Sequence, residues 1–333
     1  MAGTYELGVT GATFIGAANR EDLLDVITII SPTDTPLFTM LRKAQVHNVQ
    51  TEWLTDNLDQ AATNAVAEGS SATFQAPTSR ARLLNYTQVS RESYDISDTQ
   101  RAVNPAGVAD ELRYQMGKAM RQWKRDVEYD IIAGTGATGT PASTRCARGI
   151  NSFLNSFCSI TATVSNSATN TAQPIQEDDL NNRLQAIWTN GGLADYVVCT
   201  PHQKRNISTN FAGSANTRRN APTTENTVVN VVDYYMSDFG NVKILPHRWM
   251  TSATVSGALG VQNLQRVTYM LQSDKWLVGF LRPPKNVPLA KIGSSERAMV
   301  EGEWTLICLH PSANSFVSGH HSGTFADSFP VGI

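Results

Sequence analysis

One apolar stripe constrains this chain more than any other feature. Val108, Leu112, Met116, Met120, Trp123, Val127 and Ile131 recur at intervals of three and four, which is one continuous face of an α-helix. Asn104 is a good cap, Pro105 suits the first helical position and Gly134 stops the run. The spacing predicts a helix over 105–133, about 40 Å long, enough to span a domain. On its polar side Lys118, Arg121, Lys124 and Arg125 make the second half basic, with Asp126, Glu128 and Asp130 close by. Two readings stand. The charges pair along the helix at i,i+4, or the cations meet a nucleic-acid backbone in a sequence-blind, salt-sensitive way.

Upstream of this rod the pattern changes. Residues 1–18 carry no helical period and read as an extended arm. NREDLLDVITII follows as a short helix, capped by Asn19 and ended at Ser31-Pro32; SPTDTPLFTML is then a rigid turn. Residues 51–95 read as a long two-stranded hairpin, with TEWLTDNL and SRARLLNYTQVSRESYDIS flanking a small-residue tip. An isolated hairpin is marginal in water, so this one should lie on its own body or on a neighbouring subunit. Its candidate contact residues are Glu52, Trp53 and Asp56 on one arm, near Asp59, and Arg80, Arg82 and Arg91 on the other. The charges are either cross-strand pairs on a solvated ribbon or register marks for a neighbour.

Downstream, EDDLNNRLQAIWTNGG and PHQKRNISTNF read as helices. DYVVCT, TVVNVVDYYM, NVKILPHRW, QRVTYML and KWLVGF read as strands, and NVPLAKIG and EGEWTLICLH as a strand pair. The class is α+β. At 333 residues, two domains are expected.

Composition excludes several functions. Net charge is −2, without the basic excess of a dedicated nucleic-acid binder. There is no secretory signal, and no apolar run approaches the ~20 residues needed to cross a bilayer. The cysteines Cys146, Cys158, Cys199 and Cys308 form no CxxC pair and read as buried free thiols. GTGATG at 134–139 matches GxGxxG, but it follows a helix and leads into Pro141, so it reads as a helix end and not a dinucleotide site. The histidines have no metal-ligand spacing, and no GxSxG elbow is present. No catalytic residue, metal or cofactor is expected.

The order of parts (arm, helix, hairpin, spine helix, compact α/β insertion, returning strands) resembles the Hong Kong 97-type major capsid fold of tailed phages. DLLDVITIISPTDTPLFTML, TEWLTDNL, VVDYYMSDFGNVKILPHRWM and EGEWTLICLHPSANSFVSG carry the resemblance, which covers roughly Asn19 to Gly319. It implies an N-terminal arm (1–50), an extended loop (51–95), a peripheral domain (96–194 and 286–319), an axial domain (195–285) and a C-terminal tail (320–333). The loop 212–226 would lie near the five-fold and six-fold centres. The implied function is a shell of pentamers and hexamers around non-specifically bound double-stranded DNA, in a virion assembled in the host cytoplasm. A portal protein, a separate scaffolding protein and external decoration proteins are the implied partners. Some such shells are locked by lysine–asparagine bonds from the extended loop; residues 51–95 contain no lysine, so no such cross-link is expected. An encapsulin-like compartment shares the fold and is the nearest alternative. A nucleotide-using enzyme built on GTGATG is the unrelated one.

Overall fold

The computed structural model describes residues 29–59, 61–72, 74, 79–103, 107–108, 110–157, 161–163, 175–213, 232–250, 254–257 and 260–320. The expected arm 1–18, almost all of the helix NREDLLDVITII, most of loop 212–226 and nearly all of the tail lie outside the described residues, as does Cys158. The helices are α1 (Pro36–Met40), α2 (Asp98–Ala102), α3 (Glu111–Ala133), α4 (Ile150–Phe157), α5 (Glu177–Thr189) and α6 (Pro201–Gly213). The strands are β1 (Arg42–Gln45), β2 (Gln50–Thr55), β3 (Ala81–Tyr86), β4 (Gln88–Ser97), β5 (Thr135–Ala137), β6 (Cys146–Arg148), β7 (Thr161–Thr163) and β8 (Tyr196–Cys199). They continue with β9 (Tyr234–Ser237), β10 (Gly240–Pro246), β11 (Thr254–Gly257), β12 (Gly260–Asn263), β13 (Thr268–Leu271), β14 (Trp276–Pro288), β15 (Ser295–Cys308) and β16 (Ser315–Ser318).

The rod is α3, and it is shorter than its stripe. Gly107 turns the backbone at φ 81°, so Val108 stands outside the helix. Asp110 then caps it, accepting the Leu112 and Arg113 amides at 3.0 and 3.4 Å. Asn104 and Pro105 lie outside the described residues. The stripe is buried only in its second half, where Trp123, Val127 and Ile131 are enclosed, while Met116 is exposed.

That buried half lies on a four-stranded sheet of order β1-β14-β15-β4, in which β1 runs parallel to β14 and the other pairs are antiparallel. Trp123 sits over Gly302, where a Cβ would come within 2.8 Å of the indole, and donates its Nε1 proton to the Ser90 carbonyl at 2.9 Å. Val278, Val300, Trp304 and Leu306 complete this core. Truncating a core aromatic of this kind costs about 3–5 kcal/mol.

The second sheet has six strands, in the order β7-β16-β13-β8-β10-β9. Its β13 is buried at every position, because both faces are covered. Tyr269, Leu271 and Phe316 join the core shared with α3 and α4. Met270, Val197 and Val317 pack with Leu180, Leu184 and Ile207 of α5 and α6. The two sheets and their helices bear out the α+β class. Cys199 is a buried free thiol and Cys308 is buried outside any disulfide, while Cys146, expected to be buried, is a half-buried free thiol.

Two expectations need correction. The segment 51–95 is not one hairpin. Only β2 and β3 pair, from Gln50 opposite Tyr86 to Thr55 opposite Ala81, and β4 then joins β15 in the four-stranded sheet. The chain changes partner at Thr87, whose hydroxyl donates to the buried Glu303 carboxylate at 2.7 Å, while Arg145 reaches both the Thr87 carbonyl and Glu303. Second, KWLVGF and the start of NVPLAKIG are one strand, β14, paired with β15 from Trp276–Cys308 to Pro288–Ala298. A division at 285/286 therefore falls inside a continuous strand.

GTGATG also has a structural explanation. Gly134 ends α3 and β5 follows, paired with β6. A Cβ on Gly134 would stand 2.5 Å from the Ala147 carbonyl, so this glycine permits a close backbone crossing.

Candidate assembly surfaces

Among the described residues, the ribbon formed by β2 and β3 is fastened to the body at its root. The Trp53 indole donates to the Cys308 carbonyl at 2.8 Å and its ring lies 6.0 Å from Phe153. Asn85 is buried; its amide nitrogen donates to the Leu306 and Arg148 carbonyls at 2.6 and 3.1 Å, and its oxygen accepts the Arg148 amide at 2.8 Å. Beyond the root the ribbon has little of its own to bury. Its tip has no regular structure among the described residues of 57–79, and Leu58, Val66 and Phe74 are 99%, 79% and 93% exposed there.

Among the expected contact residues, Arg80 pairs with Asp56 at 3.2 Å and Arg82 with Glu52 at 3.0 Å. Both pairs lie within the ribbon and are exposed, which makes each worth at most about 1 kcal/mol. Asp59 is exposed beside the tip. Trp53 and Arg91 are placed differently from expectation. Trp53 is half-buried and serves as the ribbon's own anchor. Arg91 belongs to β4, opposite Glu301, on the sheet face turned away from α3. The change of sheet at Thr87 removes it from the ribbon.

The basic stretch of α3 keeps Lys118, Arg121 and Lys124 exposed. Arg125 is half-buried, 3.6 Å from Asp126 and with its guanidinium 5.5 Å over the Trp249 ring. The expected i,i+4 pairing fails because the acids turn inward: Asp130 accepts from Gln88 on β4, and Glu128 is fully buried. Among the described residues, Lys118, Arg121 and Lys124 have no carboxylate in ion-pair range.

Glu128 does something no local pattern announces. It accepts the Leu37 and Phe38 amides of α1 at 2.8 and 2.6 Å and faces His247 Nε2 at 2.8 Å. The Trp249 amide donates to His247 Nδ1 at 3.3 Å, so Nε2 carries the proton offered to Glu128. Arg248 holds the Asp34 carboxylate at 2.9 Å and the Trp249 indole donates to the Asp34 carbonyl at 2.8 Å. The chain that leads out to the arm is thus pinned where the two sheets meet. Nearby, burial lowers the Lys43 ammonium to about 8, with the Glu128 charge pulling the other way. Its Nζ lies 3.9 Å over the Phe38 ring. Among the described residues no group of histidine, cysteine and acidic side chains could hold a metal ion, and no helix is long and apolar enough to cross a membrane.

The described residues thus form a core of two sheets and a spine helix, carrying a ribbon that projects apolar side chains into solvent. Residues 7–320 match the sequence profile of the SU10 major capsid protein family. The chain belongs to that family. The major capsid protein of Escherichia phage Phieco32 is 25% identical over 332 residues, spanning 86% of this chain and 90% of that one. The capsid of Myoviridae phage XM1 superposes at TM-score 0.61 with 13% identity, covering 94% of this chain and all of that one. The SrpI encapsulin of Synechococcus elongatus superposes at 0.55 with 11% identity, covering 92% and 94%. These superpositions share the fold, and they bear out the Hong Kong 97-type architecture. The protein is a tailed-phage major capsid protein, a structural subunit of the virion shell.

Proposed function

We propose that copies of this chain form pentamers and hexamers that close into an icosahedral head around double-stranded DNA, in the host cytoplasm, with no catalytic role of their own. The observation that carries this is the ribbon: a root bonded to the body and a tip whose large apolar side chains stand in water. Stable association needs interfaces of well over 1,000 Å², and a projecting loop and arm add area beyond the globular core. Repetition of one subunit in closed rings then satisfies every interface.

In this reading the segment ahead of α1 is the arm and the β2–β3 ribbon is the extended loop. The four-stranded sheet with α3 is the peripheral domain, the six-stranded sheet with α5 and α6 the axial domain, and 320–333 the tail. Glu52, Asp56, Arg80 and Arg82 face neighbouring subunits while Trp53 fixes the ribbon's root, and Arg91 presents the exposed sheet face beside it. Lys118, Arg121, Lys124 and Arg125 line the inner surface and contact packaged DNA through its phosphates, a reading favoured by the lack of acidic partners for the first three. A portal protein closes one vertex. A separate scaffolding protein guides assembly and decoration proteins cement the outside. With no lysine in 51–95, the loop forms no isopeptide bond.

Electron microscopy of purified particles tests the reading: icosahedral heads containing nucleic acid support it. Shells filled with a protein cargo would favour the encapsulin alternative, and a soluble monomer under all conditions would overturn both.

A further inference from the structure

One side of α3 carries charge that the described residues do not answer. Counting back from Glu128 by four, seven and eleven residues gives Lys124, Arg121 and Gly117, which share its side of the helix. Lys118 borders the same strip. Arg113 is taken by Asp110 and Arg125 by Asp126, so the unanswered cations are Lys118, Arg121 and Lys124, all exposed. Glycine inside a helix costs about 0.5–1 kcal/mol relative to alanine. At Gly117 a Cβ would meet nothing within 4 Å, so the strip has a flat spot open to a second backbone. The start of α1 already sits on this side, because the Leu37 and Phe38 amides bind Glu128. Upstream of α1 the chain heads toward the cations: the Asp34 carbonyl is held by Trp249, whose ring Arg125 covers, about one turn closer to them. From there residues 29–34 are exposed.

We infer that segment 19–30 folds back onto the Gly117–Lys124 strip of α3 in its own subunit and holds it until duplex DNA takes its place. The inference rests on the reading of these cations as the DNA-facing ones and names what occupies them beforehand. Residues 19–28 lie outside the described residues, and the match comes from their sequence. Residues 1–30 carry four carboxylates, Glu6, Glu21, Asp22 and Asp25, against one arginine, Arg20. Three of the four fall in 19–30, on the side opposite Leu23, Leu24, Ile27 and Ile30 when the segment is helical. Docking through the acids therefore leaves the apolar side turned outward, and Ile30 is 95% exposed. The lengths agree. The strip from Gly117 to Glu128 is about 17 Å long and a twelve-residue helix about 18 Å, while the six residues from Ile30 to Pro36 span up to about 20 Å. Carboxylates and phosphates ask the same thing of a lysine or arginine, so the acidic segment and the DNA backbone compete for one set of cations.

The test is zero-length cross-linking of the purified full-length chain with a carbodiimide, which joins a carboxylate to an amine in contact with it, followed by proteolysis and mass spectrometry. Links from Glu21, Asp22 or Asp25 to Lys118 or Lys124 are the expected result. The exposed pair Lys291–Asp98 serves as the internal control; a sample that links the control pair and not segment 19–30 would overturn the inference. Chains carrying Glu21→Gln, Asp22→Asn and Asp25→Asn are then co-expressed with chains carrying Lys118→Gln and Lys124→Gln. Any such link in that mixture joins two copies, so its appearance at the wild-type yield would overturn docking within one subunit, and its absence supports it. Saturating duplex DNA should lower the wild-type yield at least fivefold while the control link is unchanged; an undiminished yield with DNA bound would overturn the exchange. Wild-type chains that bind no duplex DNA would sink the DNA reading and the exchange with it, while the cross-link alone decides whether the segment docks.

Discussion

The Glu128 carboxylate lies 2.8 Å from His247 across 119 residues of chain, and neither side chain is exposed. Together with the Leu37 and Phe38 amides they make an enclosed polar node linking α3, the segment that follows β10, and α1. Breaking a buried charged network by removing one partner costs about 3–5 kcal/mol, because the remaining groups stay buried and unpaired. Glu128→Ala should therefore destabilise the subunit by about that amount in denaturant unfolding, and Glu128→Gln by less, since it retains an acceptor. Amide exchange at Leu37 and Phe38 should rise in both. Unchanged exchange in Glu128→Ala would show that the node does not hold the arm.

Trp53 supports a separate prediction about the ribbon. Trp53→Phe keeps a ring beside Phe153 and loses the bond to the Cys308 carbonyl, a change of about 1 kcal/mol. Trp53→Ala loses both. Hydrogen exchange over 50–55 and 81–86 should be slightly faster in the first variant and much faster in the second, with the four-stranded sheet little affected. Equal acceleration in both sheets would mean that ribbon and body unfold as one unit.

Which parts were readable from sequence follows from the range of the interactions. The α3 stripe from Leu112 onward, the acidic start of α5 and the buried strand DYVVCT are set by neighbours within a few residues, and each forms where its pattern indicates. The partner change at Thr87 is different. Residues 81–97 alternate without a turn signal, and the break is dictated by Glu303 and Arg145, far along the chain. The same holds for Glu128, which reads as an ordinary helix-surface acid until His247 is brought to it. Arg91 and the 285/286 division were misplaced for the same reason: extended segments do not state which sheet they join.

The basic face of α3 gives a salt-dependent expectation. Binding to duplex DNA weakens with salt in proportion to the phosphates the protein neutralises, and each phosphate contributes about 0.9 to the slope of log affinity against log salt. Replacing Lys118, Arg121 and Lys124 by Gln should weaken binding of the purified protein to DNA fragments uniformly across sequences and make that slope shallower by roughly 2–3. An unchanged slope would remove these residues from the DNA-binding surface while leaving the shell function untouched.

The last prediction concerns pH. Glu92 on β4 faces α3; burial first, and then its hydrogen bond to and charge repulsion from Asp126, raise its carboxyl to about 7, against an opposing pull from Arg125. Asp130, one turn further along, is raised to about 6, mainly by burial, with the Gln88 hydrogen bond working against the rise. A carboxyl whose folded value lies above its unfolded value binds its proton more tightly in the native state. Its contribution is fully present below the unfolded value, near 4.5 for Glu92 and 3.8 for Asp130, and is lost as pH rises through the folded value. The packing of α3 on the sheet should thus weaken between about pH 4 and 7, in a direction opposite to that of a salt-bridged acid. Glu92 is partly solvated, so the effect is modest. Glu92→Gln removes the titrating charge and keeps a hydrogen-bonding group toward Asp126. Its melting temperature should match the wild type near pH 4.5 and exceed it at pH 7.5, flattening the profile between them. A variant whose melting profile parallels the wild type across that range would show that the Glu92 carboxyl is not raised in the folded subunit.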